Sequence, residues 1–181
     1  MRAVVVYESM FGNTRLVAET IAEALSGEME VRLVRATSNV DVGLKDVDLL
    51  VVGSPTHAWG LPRPATRRGG PGYVRKPGSG LALEPGADSS PGVREWLATV
   101  GDFHMCGAAF DTRINKSAAL TGRASRSIAR SLQRHGIAMA VPPESFRVDR
   151  KNHLLAGEID RARAWAVRLG AAVLSQGTTR R

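Results

Sequence analysis

Residues 8–14, ESMFGNT, place hydroxyl, amide and glycine residues between an apolar segment and a helical pattern. Ser9, Asn13 and Thr14 offer side-chain hydrogen-bond donors, and Gly12 lets the backbone approach a ligand closely. Unpaired N–H groups at the start of a helix, together with the helix dipole, attract anions. The loop therefore predicts an anion site. The plainer alternative is a turn in which Asn13 or Thr14 caps the helix.

Other catalytic signatures are missing from the sequence. The loop lacks the Lys of a nucleotide-triphosphate-binding loop and the G-x-G-x-x-G of a dinucleotide-binding turn, and no G-x-S-x-G segment is present. The four His residues and the single cysteine, Cys106, show no spacing typical of a zinc site, so we expect no metal. Cys106 is predicted to be a small core residue, and His57 is the one histidine near the candidate loops.

The elements that must position this loop alternate between strand and helix. Apolar runs predict strands at 3–7, 31–35, 48–53, 105–110 and 137–141, the last extended by 145–148. Helical periodicity predicts helices at 14–25, 93–100, 121–135 and 157–175. Such alternation is typical of an α/β domain with a parallel sheet, whose ligands lie at the carboxyl ends of the strands.

Residues 62–91 interrupt this alternation. They contain six Gly and six Pro and almost no periodic apolar residues. We therefore predict a flexible insertion of 62–91. A loop of this length inside a compact domain is usually either functional or disordered.

Length and charge limit the remaining function classes. A chain of 181 residues is the size of one domain, and no apolar run is long enough to span a membrane, so we expect no membrane insertion. With one cysteine and no signal-peptide pattern, we expect a cytoplasmic protein. The net charge of +8 lies mainly in the C-terminal half. Because no aromatic residues alternate with these charges, the pattern argues against nucleic-acid binding.

Two segments carry a resemblance to a known family. Residues 5–21, VVYESMFGNTRLVAETI, resemble the phosphate-loop signature of flavodoxins, and residues 53–60, GSPTHAWG, resemble the flavodoxin loop that covers one face of the flavin. The resemblance spans about 1–61 and 104–176. It implies a three-layer, doubly wound α/β fold with a five-stranded parallel sheet in the order 2-1-3-4-5. Residues 1–176 would form one flavodoxin-like domain, followed by a polar tail at 177–181.

The resemblance further implies a bound FMN cofactor, held by three loops. The phosphate would lie on the first loop, at Ser9, Met10, Phe11, Gly12, Asn13 and Thr14. The ring would lie against the second loop, at Pro55, Thr56, His57, Ala58, Trp59 and Gly60, with Trp59 stacking on it. The third loop would be Phe110, Asp111, Thr112 and Arg113. Glu8 should point away, since its charge would repel the phosphate.

The third loop and the charge depart from the family pattern. Flavodoxin electron carriers usually place a Tyr in the third loop, and none follows the fourth strand here. Arg113 should instead stabilise the reduced, anionic flavin and make its potential less negative. Flavodoxins are also strongly acidic, so a basic chain should dock on different partners.

Three functions remain open. The first is an FMN-binding redox protein that transfers electrons between redox partner proteins of unknown identity. The second is an NAD(P)H-dependent quinone or flavin reductase on the same fold. The third is a basic binding or regulatory module that has lost FMN.

Overall fold

The computed structural model describes residues 1–37 and 42–179. Its strands are β1 (Arg2–Tyr7), β2 (Glu30–Arg35), β3 (Leu49–Pro55), β4 (Cys106–Ile114), β5 (Ala138–Met139) and β6 (Glu144–Val148). Its helices are α1 (Asn13–Leu25), α2 (Pro64–Arg68), α3 (Gly70–Val74), α4 (Val93–Leu97), α5 (Ala118–Thr121), α6 (Ala124–Arg134) and α7 (Glu158–Thr179). The predicted alternation of strands and helices is confirmed.

The strands form one parallel sheet in the order β2-β1-β3-β4-β5, with β6 also pairing with β4. The predicted order 2-1-3-4-5 is therefore confirmed, with the fifth position shared by two strands. β5 pairs with the start of β4 at Cys106, and β6 pairs with its end from Phe110 onwards. Pro142 and Pro143 separate β5 from β6, and proline cannot donate a hydrogen bond to a ladder.

The sheet is buried on both faces because β1 and β3 are apolar at nearly every position. In β1, Val5 faces the layer that contains α1 and α7, while Val4 and Val6 face the layer that contains α4 and α6. The same alternation divides β3 between the two layers. Each layer is a separate apolar core, and the continuous apolar runs in the sequence follow from this double coverage.

Two short helices lie within residues 62–91, the predicted insertion, whose flexibility stays a prediction. Pro64 is the first residue of α2 and Pro71 the second residue of α3, positions in the first turn where proline costs no helical hydrogen bond. Residues 75–92 form turns and bends without helix or strand. The segment is held by a charged side chain, because Arg67 is buried between Glu8 and Glu95 at 2.7 Å from each. Apolar periodicity could not reveal such an anchor.

The boundaries of the domain stay a prediction. α7 continues through Thr179, past the start of the predicted tail at 177–181, and residues 180–181 lie outside the described part of the chain. No helix among the described residues is both long and apolar enough to cross a membrane.

A close contact between β3 and β4 yields the first prediction. A Cβ added at Gly53 would lie 2.0 Å from the ring of Phe110, which is fully buried, so we expect Gly53→Ala to destabilise the protein by about 1–3 kcal/mol through overpacking. Gly27→Ala is the matched control, because nothing lies within 4 Å of its Cβ. Urea unfolding of both variants measures the difference. Equal stabilities would contradict the packing described here.

Candidate functional site

A cavity of about 550 Å³ opens at the carboxyl ends of β1, β3 and β4. In the sheet, β1 is followed in the chain by its neighbour β2 on one side, and β3 is followed by its neighbour β4 on the other side. The gap between two connections that leave in opposite directions is the usual ligand crevice of an open α/β sheet. The cavity is lined by Met10, Phe11, Asn13, Thr14, Pro55, Thr56, His57, Ala58, Trp59, Thr112, Arg113, Ile114, Lys116, Leu120, Thr121, Val148 and Asn152.

The first wall is the start of α1. Its N-cap residue is Gly12, with a φ of 90° that favours glycine, and no side chain caps the helix. The predicted capping by Asn13 or Thr14 is therefore absent. Asn13 instead donates to the carbonyl of Asn152 at 2.7 Å, and the Thr14 and Thr112 hydroxyls lie 2.7 Å apart. The first N–H groups of α1 thus lack a side-chain acceptor.

Glu8 points away from this wall, as expected from its charge. Its carboxylate accepts hydrogen bonds from Arg67 and, at 2.9 Å, from the backbone N–H of Val93 at the start of α4. A Cβ at Gly92 would lie 2.3 Å from this carboxylate, so the glycine makes the approach possible. The buried carboxylate therefore serves to join the first loop to α2 and α4, and it does not line the cavity.

The second wall is a tight turn at residues 57–60. His57 and Gly60 exchange two backbone hydrogen bonds of 2.9 Å, and Ala58 and Trp59 have φ values of 42° and 68°. Two consecutive positive φ values are typical of a type I′ turn, which usually contains Asn or Gly. The turn presents Trp59 at the cavity rim with 68% of its surface exposed.

Contacts from α6 and its preceding loop hold this turn in place. The Thr56 hydroxyl accepts a hydrogen bond of 2.9 Å from the backbone N–H of Ala124. Gly122 packs so closely that a Cβ there would lie 2.1 Å from the carbonyl oxygen of Trp59. Left-handed conformations of non-glycine residues are unfavourable, so they persist where surrounding contacts enforce them.

The third wall carries positive charge. Arg113 is buried, and its guanidinium donates to the carbonyl of Lys116 at 2.7 Å and to the hydroxyl of Thr121 at 2.9 Å. Its Nε has no partner among the described residues. Burial lowers the pKa of Arg113, as do the charges of Arg147 and Arg123, while Asp111 opposes this shift. The described residues that line the cavity include no carboxylate.

Five of the predicted cofactor contacts do not line the cavity: Ser9, Gly12, Gly60, Phe110 and Asp111. Ser9, Gly12 and Gly60 lie within the loops that form its walls. Phe110 corrects the prediction more clearly, because its ring lies in the core against Phe146 and Trp165.

Asp111 is the other clear correction. It is fully buried, and its carboxylate accepts the backbone N–H of Ser125 in the first turn of α6 at 2.8 Å. Burial raises the pKa of Asp111, against the effect of the hydrogen bond from the backbone N–H of Ser125. Asp111 therefore holds α6 against β4 and has no surface in the cavity.

Six residues that line the cavity were not predicted from the sequence, and one of them is Ile114. Lys116, Leu120 and Thr121 follow Ile114 in the connection from β4 to α6, whereas Val148 and Asn152 belong to the end of β6 and its turn. Asn152 has a φ of 63°, as asparagine tolerates in turns. The polar residues after β6 were the sequence feature that could have indicated Asn152. Its contact with Asn13 joins residues 139 positions apart, so no local pattern shows it.

His57 shows a further electrostatic effect of the fold. Its Nδ1 lies 3.3 Å from the Thr66 hydroxyl, and burial, together with the charge of Arg67, lowers its pKa to about 4. His57 is consequently neutral at pH 7. Among the described residues, no group of three or more His, Cys, Asp or Glu is arranged to hold a metal ion.

Comparisons with known proteins agree with this geometry. A family model described as a flavodoxin domain matches residues 4–67, about a third of the chain. No curated protein sequence matches the chain. A flavodoxin from the domain Archaea is similar in structure with a TM-score of 0.61 and 19% identity, covering 96% of this chain and 99% of its own.

Two further solved structures show the same similarity. Oxidised flavodoxin 2 from Bacillus cereus has a TM-score of 0.64 and 16% identity, with 94% of this chain and 99% of its own covered. A flavodoxin, WrbA-like protein from Agrobacterium tumefaciens has a TM-score of 0.59 and 17% identity, with 96% and 98% covered. At such identities the structures establish the shared fold.

The lowered pKa of His57 predicts a dependence of stability on pH. Below pH 6.5 an unfolded chain binds a proton at His57 that the folded protein takes up only near pH 4. Stability contributed by His57 should therefore be present above pH 6.5 and be lost as the pH falls to about 4, by at most about 3 kcal/mol.

Urea unfolding across this pH window measures the effect. The decrease should be smaller in His57→Gln than in the wild type, while His104→Gln, a change at an exposed residue outside the cavity, should follow the wild type. Parallel curves for the wild type and His57→Gln would contradict the lowered pKa.

The chain therefore shares the flavodoxin fold over nearly all of its length, and a flavodoxin domain model matches its residues 4–67.

Proposed function

We propose that the protein binds FMN in the cavity and transfers electrons between redox partner proteins. The observation that carries the proposal is a cavity lined both by a helix N-terminus without a side-chain cap among the described residues and by a buried arginine. The first suits a phosphate dianion, and the second suits the electron-rich edge of a reduced ring. Bound FMN would supply the one- and two-electron chemistry.

The residues of the cavity support this fit. Asn13 and Thr14 stand at the start of α1 with neutral polar side chains, so a phosphate there meets no opposing charge. Trp59 offers an exposed aromatic face at the rim, where it could cover one side of a planar ring. Arg113 brings a donor, its Nε, that has no partner among the described residues. Burial of a charged donor without a partner is costly, which favours a ligand acceptor at this position.

Among the described residues, the third loop offers no aromatic side chain to the second face of the ring, and the other phenyl ring of the cavity, Phe11, belongs to the first loop. Phe110 lies in the core, and the lining residues from β4 and α5 are Arg113, Ile114, Lys116, Leu120 and Thr121. We infer that aliphatic side chains cover that face. The charge of Arg113 then takes the place of an acidic third loop in setting the reduction potential.

The test of cofactor binding is an absorption spectrum of the purified protein, followed by titration with FMN while flavin fluorescence is recorded. We expect stoichiometric quenching at low micromolar FMN. Thr14→Val removes a hydroxyl at the proposed phosphate site and should weaken binding by roughly 0.5–1.5 kcal/mol, the net worth of one hydrogen bond. Ser175→Ala, on the distant α7, is the control. A protein that leaves FMN fluorescence unchanged would contradict the proposal.

Reduction of the bound flavin separates the carrier from the alternative enzyme. A carrier should need a separate reductase, whereas rapid reduction by NAD(P)H alone would assign the chain as a quinone or flavin reductase.

The single cysteine, Cys106, is buried in β4, which is compatible with a reducing compartment, and we propose a cytoplasmic location on that basis.

The role of Arg113 gives a further prediction. Arg113→Gln removes a positive charge beside the cavity, so the two-electron potential of bound FMN should become more negative by about 30 mV, which corresponds to about 1.4 kcal/mol. Arg168→Gln, an exposed position on α7, changes the net charge equally and should leave the potential unchanged. Redox titration of the FMN-loaded variants measures both. An unchanged potential in Arg113→Gln would overturn the assignment.

A further inference from the structure

A second groove, of about 840 Å³, adjoins the cavity on the other side of the Trp59 turn. Its floor is apolar, with Leu61 and Leu97 both buried. Its rim is basic, with Arg63, Arg94 and Arg134 among the residues that line it. Trp59 lines both the cavity and the groove, so whatever occupies the groove lies next to the proposed redox site.

The helix beside this groove carries a line of arginines. Arg126, Arg130 and Arg134 recur every fourth residue of α6 and are all exposed, while Ile128 and Leu132 face the core. The three span about 12 Å at the usual rise per residue. No carboxylate among the described residues lies within ion-pair distance of any of them. We call these three residues the arginine face of α6.

Charges elsewhere on the surface are paired more fully. On α7, Arg161 contacts Glu144 and Glu158, and Arg163 contacts Glu23 and Asp160. Near the groove, Asp102 approaches His135 at 3.4 Å, and Arg94 donates to the carbonyls of Leu61 and Pro62. The arginine face of α6 is therefore a concentration of positive charge that the fold itself does not neutralise.

The position of α6 is fixed relative to the cavity. Asp111 and Thr56 accept the first backbone N–H groups of the helix, so α6 begins at the cavity wall and runs away from it. Arg134 belongs both to the arginine face and to the groove, so the two are continuous there, and Trp59 lines the groove as well. A partner bound there meets the rim of the proposed FMN site.

We propose that the groove and the arginine face of α6 together dock the acidic surface of a partner protein. That the partner exchanges electrons with this protein rests on the proposed function, whereas the docking surface itself rests on charge and shape. Complementary charge steers encounter and sets partner choice. An apolar floor inside a basic rim suits a protein segment with apolar side chains between acidic ones, whereas a nucleic-acid backbone offers phosphates without apolar side chains. α6 also has no aromatic residue on which bases could stack.

The test measures binding of a fluorescently labelled acidic ferredoxin by anisotropy at low ionic strength. R130E/R134E should weaken binding by about tenfold or more, because the new glutamates would face the acidic residues of the ferredoxin. R163E/R168E on α7 is the matched control, with an equal change in net charge, and should alter binding by less than about twofold. Binding by the wild type should also weaken as salt is added.

Several outcomes would overturn the proposal. Absence of ferredoxin binding by the wild type would do so, as would equal losses in the two double variants, which would show that net charge alone matters. Binding of a duplex DNA probe in preference to ferredoxin, lost in R130E/R134E, would make the surface a nucleic-acid site.

FMN titration of both double variants separates this proposal from the proposed function. Uptake of FMN by R130E/R134E equal to that of the wild type shows that the cavity is intact. If the wild type takes up no FMN but still binds ferredoxin through the arginine face, the proposed function fails and the docking surface stands.

Discussion

The burial of β1 and β3 on both faces is the constraint on which the rest of the structure depends. Strands with apolar side chains on both sides need helices on both sides, so the chain must cross from one face to the other as it passes from β1 to β3. The crevice at the carboxyl ends of these strands follows from that crossing. The loops after β1, β3 and β4 meet there because parallel strands end at one edge of the sheet.

Charged and polar contacts convert this crevice into a defined cavity. Arg67 joins the first loop to α2 and α4 through Glu8 and Glu95, with all three side chains removed from the cavity. Asp111 and Thr56 hold the start of α6 against the sheet. Breaking one partner of a buried ion pair leaves an uncompensated charge, so such contacts favour a single arrangement of the loops. The cavity itself is lined by neutral donors from the start of α1 and by a buried arginine from β4.

The α6 and α7 sides of the molecule differ in how many of their arginines are paired with carboxylates. On the α7 side, several arginines are paired with nearby carboxylates. On the α6 side, the arginines stay exposed without such partners among the described residues. The exposed arginines of α6 thus lie on the side where Trp59 reaches the surface. A redox protein of this polarity would recognise partners unlike those of an acidic carrier.

The sequence alone predicted the α/β class from apolar runs and helical periodicity, which are local patterns. The strand order and most of the lining residues of the first two loops were implied by the resemblance of residues 5–21 and 53–60 to flavodoxin loops, which is also carried by short stretches of sequence. The tertiary structure decided which neighbouring side chains face the cavity. Phe110 and Asp111 were predicted as contacts, but alternation along β4 sends one ring to the core and one carboxylate to α6.

Only the folded chain could bring in Asn152, Lys116 and Thr121, since their contacts with the loops join residues far apart in sequence or depend on the path after β4. The same holds for residues 62–91, which contact the rest of the chain through Arg67, paired with Glu8 and Glu95, and through Glu84, paired with Arg15. Periodicity in the sequence shows which residue types repeat. It does not show which charged side chains pair, because a buried ion pair between residues far apart in sequence leaves no periodic pattern.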